Sequence, residues 1–303
     1  MTRYRLKSFG YWLAASALVA ALSAAAARAQ GKPDFEFHRD LAQGKRFYLS
    51  DIMGDVTVTG GSGRTVEVTA IKRTGRHGEP VDVTIETIEL DDGVALCVRY
   101  PSSQEGHRGS QSARTKNPCA WESDWDHHYH SNDERNDTKV DFTIRVPAGL
   151  RLHVGTVSGD VHADHLEGDL TIRSVSGDVS LDGGRGPTVD LETVSGNVEL
   201  LDINSKEVSG HTISGEITFR GPILEGGSYD FATTSGDIRA VLPERPSATL
   251  SAATFSGGFS SDLPVNEDSS RRHRHRYDAT WGSGSAKLYM ESLSGDLSIR
   301  VTR

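Results

Sequence analysis

One recurring pentapeptide decides the reading of this chain: Thr156-Val-Ser-Gly-Asp160, Ser174-Val-Ser-Gly-Asp178, Thr193-Val-Ser-Gly-Asn197, Thr212-Ile-Ser-Gly-Glu216, Thr233-Thr-Ser-Gly-Asp237, Thr254-Phe-Ser-Gly-Gly258 and Ser292-Leu-Ser-Gly-Asp296. Its glycines are Gly159, Gly177, Gly196, Gly215, Gly236, Gly257 and Gly295, at intervals of 18, 19, 19, 21, 21 and 38 residues. Spacing this even marks a structural repeat of about nineteen residues, with one insertion before the last copy. Asp51-Ile-Met-Gly-Asp55 is a degenerate further copy upstream.

On both sides of each corner, apolar and polar residues alternate. Leu170 and Ile172 precede one corner, and Val179 and Leu181 follow it. Val189 and Leu191, then Val198 and Leu200, repeat the pattern, and Leu297, Ile299 and Val301 end it. Period two means strands with one face inward. Ser-Gly-Asp supplies the bend: glycine takes positive φ without a clash, and Ser and Asp bond to nearby backbone. A nineteen-residue unit cannot bury its own apolar face, but stacked units share a core. The expected fold is therefore all-β, a β-solenoid of stacked repeats. An antiparallel meander or sandwich also fits, because short glycine turns make hairpins. The Ser/Thr column at 156, 174, 193, 212, 233, 254 and 292 falls on the inward face. Its hydroxyls then need partners, either one another or corner amides.

Upstream, Val56-Thr-Val58, Val66-Glu-Val68, Val81-Asp-Val83-Thr-Ile85 and Leu96-Cys-Val98 read as shorter, less regular strands. Residues 1–29 read as an export signal. Arg3, Arg5 and Lys7 precede an uncharged Ala- and Leu-rich run, and Ala27-Arg28-Ala29 fits a cleavage site before Gln30. The alternative is an uncleaved single-span anchor. With the signal removed, residues 30–303 form a single β-repeat domain. Irregular strands occupy 40–150, with a loop at 101–138. Regular rungs occupy 151–303, with an insertion at 265–284. No transmembrane segment remains after cleavage.

The chain has 303 residues, 36% hydrophobic, 7% aromatic, with 32 glycines and a formal charge of −9. Loss of Arg3, Arg5, Lys7 and Arg28 with the signal takes that charge to −13. An acidic chain of this kind lacks the basic face of a general nucleic-acid binder. Export places Cys97 and Cys119 in an oxidising space, where a bridge between them is favoured over two free thiols.

These features together resemble the bacterial family of exported β-strand-repeat proteins described as proposed adhesins, a domain of formally unknown function. The resemblance rests on the export signal, on Cys97-Val-Arg-Tyr-Pro101 running into a loop with the second cysteine, on Val140-Asp-Phe-Thr-Ile-Arg-Val-Pro-Ala-Gly149, and on the serial Val-Ser-Gly-Asp-Val rungs. It covers about residues 40–303 and implies a periplasmic or surface location, a repetitive all-β domain and no catalytic residues.

Two loops could carry chemistry. The acidic stretch 119–137 holds His127, His128 and His130 beside Asp126, donors suited to a divalent transition metal such as zinc, copper or nickel. Their spacing matches no closed structural site, and a solvated insertion fits equally well. The second loop, Asp268–Tyr277, carries Arg271, Arg272, Arg274 and Arg276. It suits either the acidic loop or an anionic envelope polymer. There is no nucleophile elbow, zinc-protease motif or phosphate loop. The sequence thus points to an exported non-enzymatic scaffold of the cell envelope. No cofactor is called for, and the corners and loops would meet an envelope or surface protein or a glycan. A metal- or ligand-binding envelope sensor is the second reading, and a carbohydrate-active β-helix enzyme the third. The oligomeric state is left open.

Overall fold

A computed structural model describes residues 32–75, 82–100, 119, 138–268 and 275–302. The chain divides into two compact units, Met1–Asp34 and Phe35–Arg303, and every strand described lies in the second. The strands are β1 (Phe35–Asp40), β2 (Arg46–Ser50), β3 (Val56–Gly61), β4 (Thr65–Thr74), β5 (Thr84–Leu90), β6 (Gly93–Arg99), β7 (Thr138–Pro147), β8 (Leu150–Gly155), β9 (Val161–Asp164), β10 (Gly168–Arg173), β11 (Val179–Asp182), β12 (Arg185–Glu192), β13 (Val198–Leu201), β14 (Asn204–Ser214), β15 (Ile217–Arg220), β16 (Ser228–Ser235), β17 (Ile238–Leu242), β18 (Ala248–Ser256), β19 (Phe259–Ser261), β20 (Asn266–Asp268), β21 (His275–Trp281), β22 (Ala286–Ser294) and β23 (Leu297–Val301).

They form two sheets. The first runs β1-β4-β7-β3-β9-β11-β13-β15-β17-β23-β19, and the second β20-β21-β18-β22-β16-β14-β12-β10-β8-β2-β6-β5. Through the regular region each rung gives one strand to each sheet, paired in parallel with its neighbours. Val179, for example, lies between Val161 and Val198, and Leu170 between Leu152 and Val189. Parallel pairing in register makes this a β-solenoid and excludes the meander and sandwich. The alternating apolar residues form one core between the sheets. Leu181, Leu200 and Phe219 come from the first sheet, and Ile172, Leu191 and Phe231 from the second, all fully buried. Each such side chain stabilises the stack by about 2 kcal/mol through burial alone.

Both ends depart from the regular pattern. At one end β4 pairs antiparallel with β7 and with β1, and β5 antiparallel with β6. At the other, β21 pairs antiparallel with β18 and with β20. The last rung is also out of order: β22 lies between β16 and β18, and β23 between β17 and β19. Leu297–Val301 ends the sequence, yet it is an interior strand paired on both sides. The edge falls instead on β19, a strand of only three residues, too short to template much further pairing.

Candidate functional site

The recurring corner residues are accounted for by the stack itself. Each corner glycine lies against the corner glycine of the next rung. A Cβ on Gly177 would overlap the Gly159 carbonyl oxygen, and one on Gly196 that of Gly177. The relation continues through Gly215, Gly236, Gly295 and Gly257. Gly177 and Gly196 also hold φ of 156° and 157°. Glycine is thus required by close backbone approach as well as by conformation.

The inward hydroxyls donate to these same corners. Ser174 Oγ reaches the Gly159 carbonyl at 3.2 Å, and Thr193 Oγ1 the Gly177 carbonyl at 3.0 Å. Thr212, Ser292 and Thr254 do likewise to Gly196, Gly236 and Gly295 at 3.0, 3.0 and 3.1 Å. The partners of these five are therefore corner carbonyls, and not the amides or neighbouring hydroxyls expected, while the buried Thr156 hydroxyl at the head of the column has no hydrogen-bond partner among the described residues. The reason is geometric: the corner N–H groups already bond to the next rung, as Gly177 N–H does to Ser195 at 3.0 Å.

The acidic corner position makes a second ladder. Asp55 accepts the Asp160 N–H at 3.1 Å, Asp160 that of Asp178 at 2.8 Å, and Asp178 that of Asn197 at 2.7 Å. Asn197 accepts from Glu216 at 2.9 Å, and Asp237 from Asp296 at 2.7 Å. Asp, Asn, Ser and Thr recur here as structural acceptors and donors.

Asp51 occupies the hydroxyl column, one residue beyond the Ser50–Gly155–Arg173 register, level with Thr156 and Ser174. It is wholly buried, and its Oδ1 accepts the Ile52 N–H at 2.8 Å. Burial pushes the carboxyl up to about 8, so it is mostly protonated at neutral pH.

Cys97 and Cys119 form a disulfide with Cα atoms 5.5 Å apart. Cys97 projects from the outer side of β6, and the bridge packs with Tyr48 and Ala95, fixing Cys119 over that face. His127, His128, His130 and Asp126 lie outside the described residues, as do Arg271, Arg272 and Arg274. His275 and Arg276 begin β21.

Among the described residues, two surfaces stand out that the stack does not use up. The first follows the corners. Ile213, Thr234, Leu293 and Phe255 succeed one another across β14, β16, β22 and β18, beside the register Ser214–Ser235–Ser294–Ser256. Ile213, Leu293 and Phe255 are 52%, 52% and 54% exposed, an uncovered apolar stripe.

The second is a pair of grooves on the outer face of the second sheet. Asp230, Tyr289, Ser251 and Asp278 lie side by side in register, and His211, Ala232, Glu291, Ala253 and Arg276 form the adjacent row. One groove, of about 420 Å³, is lined by His211, Asp230, Ala232, Ala253, Arg276 and Glu291; its neighbour is of about 640 Å³. Tyr289, Ser251 and Arg276 border both. The small side chains of Ala232 and Ala253 leave the first groove open. Arg276 is held by Ser251 at 3.1 Å and Asp278 at 3.3 Å. His211 lies 3.8 Å from Asp230, whose carboxylate raises the imidazole pKa. Of these residues only Arg276 stood out in the sequence.

Among known proteins, the family model described as Toastrack DUF4097 matches residues 141–300. Two solved structures are similar. A proposed cell adhesion protein from Clostridium sporogenes ATCC 15579 is 12% identical over 89% of this chain and all of that one, with a TM-score of 0.36. A proposed adhesin from Bacteroides fragilis NCTC 9343 is 13% identical over 88% of this chain and 97% of that one, with a TM-score of 0.38. No curated protein matches.

Proposed function

The chain belongs to the Toastrack DUF4097 family, and from that premise we propose that it is an exported, non-enzymatic scaffold of the cell envelope that presents its corner edge to a protein partner. One observation carries this reading: the exposed, in-register stripe of Ile213, Leu293 and Phe255. Uncovered apolar side chains gathered along one edge are the mark of an interaction surface. The corner serines and aspartates belong to repeated ladders, so their recurrence supports a scaffold over a single reactive centre. The charged start, apolar run and cleavage pattern read at 1–29 support export, and the Cys97–Cys119 bridge fits an oxidising compartment.

The test is a photo-crosslinking residue at Thr234, within the stripe, introduced into cells that export the protein. The expected result is one dominant envelope protein crosslinked to the parent chain and lost when Ile213, Leu293 and Phe255 are all changed to Ser. The same adduct on the triple variant, or none on the parent, overturns the proposal.

A further inference from the structure

We propose that the paired grooves around Tyr289 form a binding site for an uncharged saccharide, with the phenol ring as the stacking platform. This goes beyond the corner-edge reading, because Ile213, Leu293 and Phe255 line neither groove.

The first support is the ring itself. Tyr289 is 42% exposed on a sheet face where its in-register neighbours are the shorter Asp230 and Ser251. A bare aromatic surface flanked by lower side chains offers dispersion contact to a flat, partly apolar ligand and a hydroxyl at its tip. The C–H faces of a pyranose are such a surface.

The second support is the arrangement of polar groups. The first groove is lined by the acidic Asp230 and Glu291 together with His211 and Arg276. The second is lined by Asp278, paired with Arg276, and by the row Lys287, Thr249 and Thr280, with Ser285 beside them. Donors and acceptors are therefore interspersed along both grooves. A sugar hydroxyl both donates and accepts, so it can be satisfied at either kind of position.

The third support is charge. Among the described lining residues, three carboxylates accompany Arg276, Lys287 and His211, so neither sign dominates there. A polyanion would meet Asp230 and Glu291, and a polycation would meet Arg276 and Lys287. A neutral polyhydroxylated ligand meets neither penalty.

The fourth support is extent. The strands from β14 to β20 follow one another as β14-β16-β22-β18-β21-β20. At about 4.8 Å per strand they span roughly 24 Å, room for several sugar units in a row.

The experiment uses the purified exported protein and a panel of uncharged hexasaccharides (α-glucan, β-glucan, β-mannan and chitin types), with heparin and polyphosphate as charged probes. Affinity is read by titration calorimetry at low and high salt. The expected result is binding of at least one neutral hexasaccharide with little salt dependence. Tyr289→Ala should weaken it at least tenfold, and Tyr289→Phe should preserve it within about threefold. Ala253→Gln, which fills the first groove without touching the ring, should also weaken it while leaving the melting temperature unchanged. The inference is overturned by binding of none of the panel, by retention of full affinity in Tyr289→Ala, or by preference for a polyanion with steep salt dependence. The Thr234 crosslink is unaffected by Tyr289→Ala, so failure here is distinguishable from failure of the corner-edge reading.

Discussion

The rungs from Leu150 to Leu242 and the segment from Ala248 to Val301 use the same repeat in different ways. In the first, rung follows rung in chain order, and each corner hands its hydrogen bonds to the next. In the second, the chain makes one more rung, turns out into the antiparallel β20–β21 hairpin, and returns to place its last rung between two earlier ones. The regular region ties its corners together through serial hydrogen bonds and leaves its outer face as serial solvated positions. The reordered region puts Asp230, Tyr289 and Ser251 side by side from β16, β22 and β18, three strands that do not follow one another in sequence. The repeat supplies rigidity, and the break in its order supplies the distinctive surface.

The largest expected effect falls on the regular corner. Gly196→Ala, which drives a Cβ into the Gly177 carbonyl, should destabilise by more than about 3 kcal/mol in urea unfolding. At the reordered end, Gly258 faces only the Asp296 side chain at 3.5 Å, and Gly258→Ala should stay within about 0.5 kcal/mol. Equal effects at both sites would show that close backbone approach is not what requires glycine at the corner.

The irregular first end gives the next two effects. Replacing Cys97 and Cys119 by Ser opens a loop spanning 22 residues, and should cost about 3 kcal/mol by calorimetry. Asp51 tests the opposite sign. Its folded-state value of about 8 lies above the ordinary 3.8, so the unfolded chain ionises first as pH rises. Stability from this group is therefore full below about pH 4 and declines until about pH 8. Asp51→Asn should stabilise the protein at pH 7 by about 1–3 kcal/mol and flatten the slope between pH 4 and 8. An unchanged slope would show that Asp51 is ionised in the fold. The smallest loss is expected from Thr193→Val, about 1 kcal/mol, because it removes the one bond to the Gly177 carbonyl.

Much of the solenoid was legible in the sequence, because the corner imposes a residue type that nothing else replaces. Gly177 and Gly196 must be glycine, Thr193 must face inward, and the alternation of Val198 and Leu200 follows from the pleat. The partner of Thr193 was not legible, since choosing between a carbonyl and an amide needs the corner's geometry. The place of the last rung was not legible either. An interval of 38 residues reads as a period plus an insertion, whichever neighbour the returning strand pairs with. The grooves were hidden for the same reason. His211, Asp230, Ser251 and Tyr289 each look like an ordinary outward strand residue, and only strand order gathers them.

The central claim is that the chain's final rung is inserted and thereby builds the groove, and a pair of engineered cysteines tests it. Ser298 lies directly between Arg239 and Ser260, all on the outer side of the first sheet. Adjacent in-register strands bring Cα atoms within disulfide reach, whereas strands two apart stand about 10 Å from each other. The inserted order predicts that Arg239→Cys with Ser298→Cys closes a bond under mild oxidation, and that Arg239→Cys with Ser260→Cys does not. Closure of the second pair and not the first would place the rungs in chain order and contradict it.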